Sequence, residues 1–199
     1  MFVLLLINLN YVQGFEPASL ADKQGNARAF EAQFAYQRGS IVTSDGVTIA
    51  QSVPSNDVYK YQRKYPAGPE YAPVTGYQTL YSASGIEYYE NAVLNGSDAS
   101  LTVRNFIDLL TGKPRKGANV TVTINSKAQN AAWSALQATT NGKPGAVVAL
   151  NPQTGAILAM ASYPSFDPNV LATHDGKQLN SADQALLNLD AAMVTPSEV

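Results

Sequence analysis

The chain has a single histidine, His174, and it stands beside an acid in Ala172-Thr173-His174-Asp175. An imidazole next to a carboxylate is the general-base half of a nucleophilic triad. Adjacent side chains rarely converge, however, and the expectation is a solvated loop histidine. A metal site built from His174, Asp175 and Asp167 is short of ligands, since no second histidine exists. The chain also has no cysteine, which excludes a thiol nucleophile, a thiolate zinc site and a disulfide framework. Lys60, Arg63 and Lys64 interleave with Tyr59, Tyr61 and Tyr65, a mixture that can hold single-stranded nucleic acid. With a formal net charge of −2, a solvated strand whose tyrosines share one face fits better, and no nucleic-acid partner is expected. Gly112-Lys113 has the start of a phosphate loop, but Pro114 occupies the position that requires Ser or Thr.

The element that organises the chain runs from Gly145 to Asn169. Ala146–Leu150 and Ala156–Ala161 are unbroken apolar runs of strand length, the pattern of strands buried on both faces. Asn151-Pro152-Gln153-Thr154-Gly155 between them predicts a turn, with Gly155 in the left-handed conformation that returns the chain antiparallel. An isolated hairpin is marginal in water, so it needs further strands and a covering helix. That helix is predicted from Asn125-Ser126 onwards, with Ser126 and Gln129 at capping-box spacing. Ala128, Ala131, Ala132, Ala135 and Leu136 form its packing face, with Trp133 at the edge. Before it, Asn119–Asn125 alternates Val120, Val122 and Ile124 inward as a strand. Ser181–Met193 predicts a last helix with Ala185, Leu186 and Leu189 on one face.

Upstream, the first twelve residues are mostly apolar. As a helix they reach roughly 18 Å against a hydrocarbon core of about 30 Å. They read as the outer end of a membrane anchor. Ala27–Gln37 predicts a short helix with Phe30 and Phe34 stacked. Ser44-Asp45-Gly46 predicts the turn of a hairpin between Ile41 and Ile49. Eight of the eleven tyrosines fall between Tyr59 and Tyr89, in a stretch rich in Gly and Pro. Short strands are expected there at 58–61, 71–74 and 77–81. Ser100–Leu110 predicts a helix, and the basic linker Gly112–Gly117 marks a domain boundary.

Taken in order, these segments resemble a class B penicillin-binding protein, the bitopic membrane proteins that cross-link peptidoglycan. Arg38-Gly39-Ser40-Ile41 through Asp45-Gly46 is similar to the family's RGxI…G motif. Gly85-Ile86-Glu87 followed by Leu94-Asn95-Gly96 is similar to its G-[IL]-E…L-x-G segment. Thr123-Ile124-Asn125 with Gln129 and Ala132 resembles the strand-to-helix start of the transpeptidase domain. The hairpin and its exit, Tyr163-Pro164-Ser165-Phe166-Asp167-Pro168-Asn169, resemble the first hairpin of that domain. Tyr71-Ala72-Pro73 and Val74-Thr75-Gly76-Tyr77 resemble the form found in high-GC Gram-positive bacteria.

The resemblance implies an α+β fold. It divides the chain into the outer end of a transmembrane anchor (1–14), a β-rich, elongated, non-catalytic pedestal of dimerisation type (15–117), and a truncated N-terminal part of a transpeptidase domain (118–199). It implies D,D-transpeptidation in cell-wall synthesis, with peptidoglycan stem peptides and penicillin as ligands of the intact protein. It further implies a glycan polymerase and division or elongation proteins as partners of the pedestal. The location it implies is the cell membrane, single-pass, with the folded part extracytoplasmic. The family's nucleophile lies in an SxxK motif, supported by SxN and KTG or KSG. None of these occurs here; Ser19 is one residue out of register with Lys23. No catalytic, metal-binding or cofactor-binding residue is assigned, no cofactor is expected, and the chain is read as a product cut shortly after Asn188, before the nucleophile.

Overall fold

The computed structural model describes residues 33–101, 111 and 116–194. The anchor at 1–14, most of the 27–37 helix, the 102–110 part of the next helix and linker residues 112–115 lie outside the described residues. Of that second predicted helix, only Ser100 and Leu101 are described, within the 3-10 turn Ala99–Leu101.

The fold is α+β. Strand β1 (Ile41–Val42) turns through Asp45-Gly46 into β2 (Thr48–Pro54), which is followed by β3 (Tyr61–Lys64). Three short helices follow: α1 (Ala72–Thr75), α2 (Gly85–Tyr89) and α3 (Asn91–Leu94). After these come β4 (Val120–Thr121), the long α4 (Ser126–Thr139), the hairpin β5 (Gly145–Leu150) and β6 (Ile157–Tyr163), and α5 (Gly176–Val194). The first sheet has the order β3-β2-β1-β4. Its β1–β2 pair is antiparallel, with Ile41 opposite Ala50. Its β1–β4 pair is parallel, with Ile41 opposite Val120. Ile41, Ile49, Tyr65, Tyr71, Leu94 and Ile124 meet in the core, with Val120 and Val122 against it. The inward alternation of Val120, Val122 and Ile124 therefore holds.

The three strands expected among the tyrosines are not formed as predicted. The first shifts to β3, because the Asp57 carboxylate accepts the Tyr59 amide at 2.9 Å and Lys60 takes a positive φ of 62°, so 57–60 is a turn. Tyr71–Val74 becomes helical, since Pro73 lies in the first turn of α1, where its missing N–H costs nothing. At 77–81 only an isolated bridge from Gln78 to Ala83 remains. Helix α5 starts ahead of the predicted Ser181, with Asp175 accepting the Lys177 amide at 2.9 Å. Leu186 is half-buried on it, whereas Ala185 is exposed.

Hairpin β5–β6 has the predicted turn, with Gly155 at φ 72° and Asn151 donating to Ala156 at 2.9 Å. Its burial follows the prediction in one strand and not in the other. Strand β6 is covered on both faces: Ala159 and Ala161 are buried, and Ile157 and Met160 pack on the core. Strand β5 alternates instead, with Val148 54% and Leu150 57% exposed. Helix α4 covers only the face of Gly145 and Val147, where Leu136 lies beside Gly145.

Close backbone approach explains the glycine in the RGxI segment. A Cβ on Gly39 falls 1.8 Å from the Ala118 carbonyl oxygen, inside any real contact. Gly39→Ala is expected to cost about 1–3 kcal/mol by forcing the chain ahead of β1 and the 118–119 segment ahead of β4 apart. Urea titration followed by tryptophan fluorescence measures it.

Candidate functional site: a charged core and the clamp that joins it to the hairpin

The RGxI arginine and the GIE glutamate meet in the interior. Arg38 enters β1, and Glu87 sits in the first turn of α2, 49 positions away in the chain. Arg38 Nε donates to Glu87 Oε2 at 2.8 Å, and its Nη2 donates to the Glu87 carbonyl at 2.6 Å. Its Nη1 donates to Asn91 Oδ1 on α3 at 2.6 Å. On the other side Arg63, from β3, donates Nε to Glu87 Oε1 at 2.6 Å and Nη1 to the Gly39 carbonyl at 2.8 Å. The Tyr65 hydroxyl adds a bond to Glu87 Oε1 at 3.3 Å and accepts the Gln78 amide at 2.8 Å. Glu87 is wholly buried.

Burial alone would raise the Glu87 carboxyl. Arg63 and Arg38 outweigh it and hold it below the usual carboxylate range. Arg38 is itself drawn below its ordinary value by burial, against the attraction of Glu87. A guanidinium nonetheless stays charged at any pH a protein survives. Burial, then Glu87, pushes the Tyr65 phenol well up, so it remains a donor.

This arrangement corrects the reading of 59–65 as a solvated strand. Arg63 is 2% exposed and Tyr65 likewise 2%, while Lys60 and Lys64 point outward. The pattern of basic and aromatic residues is split between a core ion pair and the surface.

The hairpin exit reaches back to the same tyrosine. Asn169 Nδ2 donates to the Tyr65 carbonyl at 2.9 Å, and the Tyr65 amide donates to Asn169 Oδ1 at 2.9 Å. Asn169 thus pairs with the strand end as a backbone unit would. Asp167 holds it in place, accepting its amide at 2.9 Å and its Nδ2 at 2.7 Å. Ser165 Oγ donates to the Pro69 carbonyl at 2.8 Å.

At the head of α4, Asn125 rather than Ser126 is the cap, accepting the Ala128 amide at 3.2 Å. Ser126 is drawn instead to Asp45, in the β1–β2 turn, donating through its amide at 3.0 Å and its hydroxyl at 2.5 Å. The Ser126 hydroxyl, then Thr43, holds the Asp45 carboxyl far below the usual range. Gln129 is not a capping partner either: it is buried against β6. The packed side of α4 runs through Gln129, Ala132, Trp133 and Leu136, leaving Ala131 and Ala135 exposed.

His174 is no solvated loop residue. Its Nδ1 pairs with Asp57 Oδ2 across 117 positions, and its side chain is 9% exposed. Asp175 caps α5, and Asp167 holds Asn169, so the acids near it serve local turns. Among the described residues no group of three or more metal-ligating side chains occurs, and no helix is long and apolar enough to cross a membrane.

Residues 38–120 match the penicillin binding protein A dimerisation domain. Peptidoglycan D,D-transpeptidase PbpA of Mycolicibacterium smegmatis is 46% identical over 177 residues, 88% of this chain and 36% of the relative. Its namesake in Mycobacterium tuberculosis is 41% identical over 197 residues, 98% of this chain and 40% of that one. The solved imipenem acyl-enzyme complex of penicillin-binding protein A from M. tuberculosis superposes with a TM-score of 0.77 at 42% identity, covering 82% of this chain and 38% of that chain. The chain therefore spans about two fifths of the length of these relatives. The motif residues that carried the resemblance, Arg38, Glu87, Gln129 and Asn169, are the ones that build the charged core and its joints. The chain belongs to the class B penicillin-binding proteins, of which it carries the N-terminal part.

Proposed function

We propose that the chain forms the pedestal (15–117) and the opening segment (118–199) of the transpeptidase domain of a membrane-anchored enzyme that cross-links peptidoglycan. The outer end of its single-pass anchor is residues 1–14. The observation that carries this reading is the Asn169–Tyr65 pairing. It fastens the Asp167-Pro168-Asn169 exit of the hairpin to the strand end beside the Arg38–Glu87–Arg63 core. A pedestal built this way supports the catalytic half without taking part in chemistry. No Ser-x-x-Lys occurs in the 199 residues, so the acylated serine belongs to sequence following α5. Labelling with a fluorescent penicillin tests the reading. This chain is expected to stay unlabelled, and a chain extended through the genomic reading frame beyond Asn188 is expected to label. Labelling of neither would overturn the transpeptidase reading.

A second reading, a non-catalytic interaction module for a glycan polymerase or for division or elongation proteins, has one observation in its favour. Tyr88 and Tyr89 stand on α2 at 45% and 82% exposure, stacked edge to face at 5.3 Å. Loss of polymerase capture on Tyr89→Ser, with the fold intact, would support it.

A further inference from the structure

His174 lies between the last turn of the hairpin exit and α5. Its partner Asp57 lies far upstream, in the turn between β2 and β3. Burial works against the Asp57 charge. The hydrogen bond from His174, then that from Ser55, outweighs burial and keeps the carboxyl below its ordinary value. An ionised carboxylate only accepts, so the imidazole proton sits on Nδ1. Nε2 is buried and has no hydrogen-bond partner. The pair has the Asp–His half of a triad, but its outer nitrogen faces no hydroxyl. The ring packs edge-on against Phe34 at 5.2 Å and tilted against Tyr59 at 4.8 Å.

Around this pair the start of α5 rests on the upstream region through an apolar cluster. Leu171 and Leu179 meet Phe34 and Leu80, with Tyr59 and Leu186 against them. Apolar burial has no direction, and the bond that Gln62 Nε2 donates to the Ala172 carbonyl, ahead of the helix, is long at 3.3 Å. A hydrogen bond to a charged acceptor has a direction and fixes one register.

We propose that His174 is a positioning residue: its bond to Asp57 sets the register of α5 on the upstream region, and so aims the chain that follows α5 at its acyl substrate. The first half stands on the contacts alone. The second half rests on the transpeptidase reading above.

The test uses the chain extended through the genomic reading frame beyond Asn188 and three variants of it. His174→Phe keeps the ring and removes the donor. Asp57→Ala removes the acceptor from a side chain that is 38% exposed, so folding is preserved even where the phenylalanine variant fails. His174→Asn places an amide nitrogen near the Nδ1 position. Hydrogen exchange of the Leu179–Leu186 amides is expected to quicken about tenfold in the first two variants, no further in their combination, and to recover in His174→Asn. The rate of acylation by a fluorescent penicillin is expected to fall several-fold in the same two variants, through the acylation step rather than initial binding, and to recover in the third. Unchanged exchange would overturn the latch. Faster exchange with unchanged acylation would overturn the positioning role. A wild-type protein that is never acylated would count against the transpeptidase reading, while the exchange data would still decide the latch.

Discussion

Glu87→Gln is expected to cost about 3–5 kcal/mol of stability, the range seen when one member of a buried ion pair is removed. The substitution keeps size and shape, so the cost is electrical. Two guanidiniums, 4% and 2% exposed, would be left with a neutral amide between them. An amide also presents one acceptor where the carboxylate presents two, so either Arg38 Nε or Arg63 Nε loses its bond. Chemical denaturation of wild type and variant measures the loss. Replacing the three together, Arg38→Met, Arg63→Met and Glu87→Leu, is expected to recover much of it, because the ion cluster itself carries a large desolvation cost. The pH dependence has a definite sign. The folded value of Glu87 lies below its unfolded value, so its contribution is fully present above the carboxylate range. It is lost as pH falls below the ordinary glutamate range and through the folded value. Glu87→Gln should flatten the acid limb of the stability curve; an unchanged limb would show that Glu87 does not set it.

The elements with strong local signals were readable from sequence, and those set by distant partners were not. Asp45-Gly46 and Asn151–Gly155 carry their turns in their own φ preferences, and both appear at the predicted places. The inward set Val120, Val122 and Ile124 follows strand period and packs on the core as read. In the Tyr-rich stretch the turn at 57–60 and the helix at 72–75 come from local chemistry at Asp57 and Pro73 that was misread, whereas the burial of its basic and aromatic residues is imposed from outside. Arg63 and Tyr65 are turned inward by a glutamate more than twenty positions later, which no local pattern announces. His174 failed for the same reason, since its partner is Asp57 rather than the neighbouring Asp175. Strand β5 was misjudged on a different ground. An unbroken apolar run reports the burial that the whole sheet provides, whereas among the described residues β5 is covered by β6 and α4 alone.

Gln129 makes the same point and supports the other large prediction. Read from sequence it is a capping residue, three positions after Ser126. In the fold it is wholly buried, and its amide stands in for a strand on the free side of β6. Oε1 accepts the Met160 amide at 2.8 Å, and Nε2 donates to the Met160 carbonyl at 2.8 Å and to the Glu70 carbonyl at 2.7 Å. One side chain therefore ties α4, the hairpin and the 68–70 turn together. Gln129→Leu keeps the volume and strands three backbone groups without partners. At about 1–3 kcal/mol for each unsatisfied buried group, offset by the added apolar burial, the net loss is expected near 3–5 kcal/mol. Gln129→Glu separates the two halves of the bond set. It retains the acceptor for the Met160 amide but sets a carboxylate oxygen against the Met160 and Glu70 carbonyls, so it should be tolerated only when protonated. Thermal unfolding at acid and neutral pH measures both variants. The leucine variant should be destabilised alike at either pH, and the glutamate variant should be relatively rescued by acid. Equal stability of wild type and Gln129→Leu would mean that solvent satisfies Met160 and that the helix–hairpin joint depends on apolar packing alone.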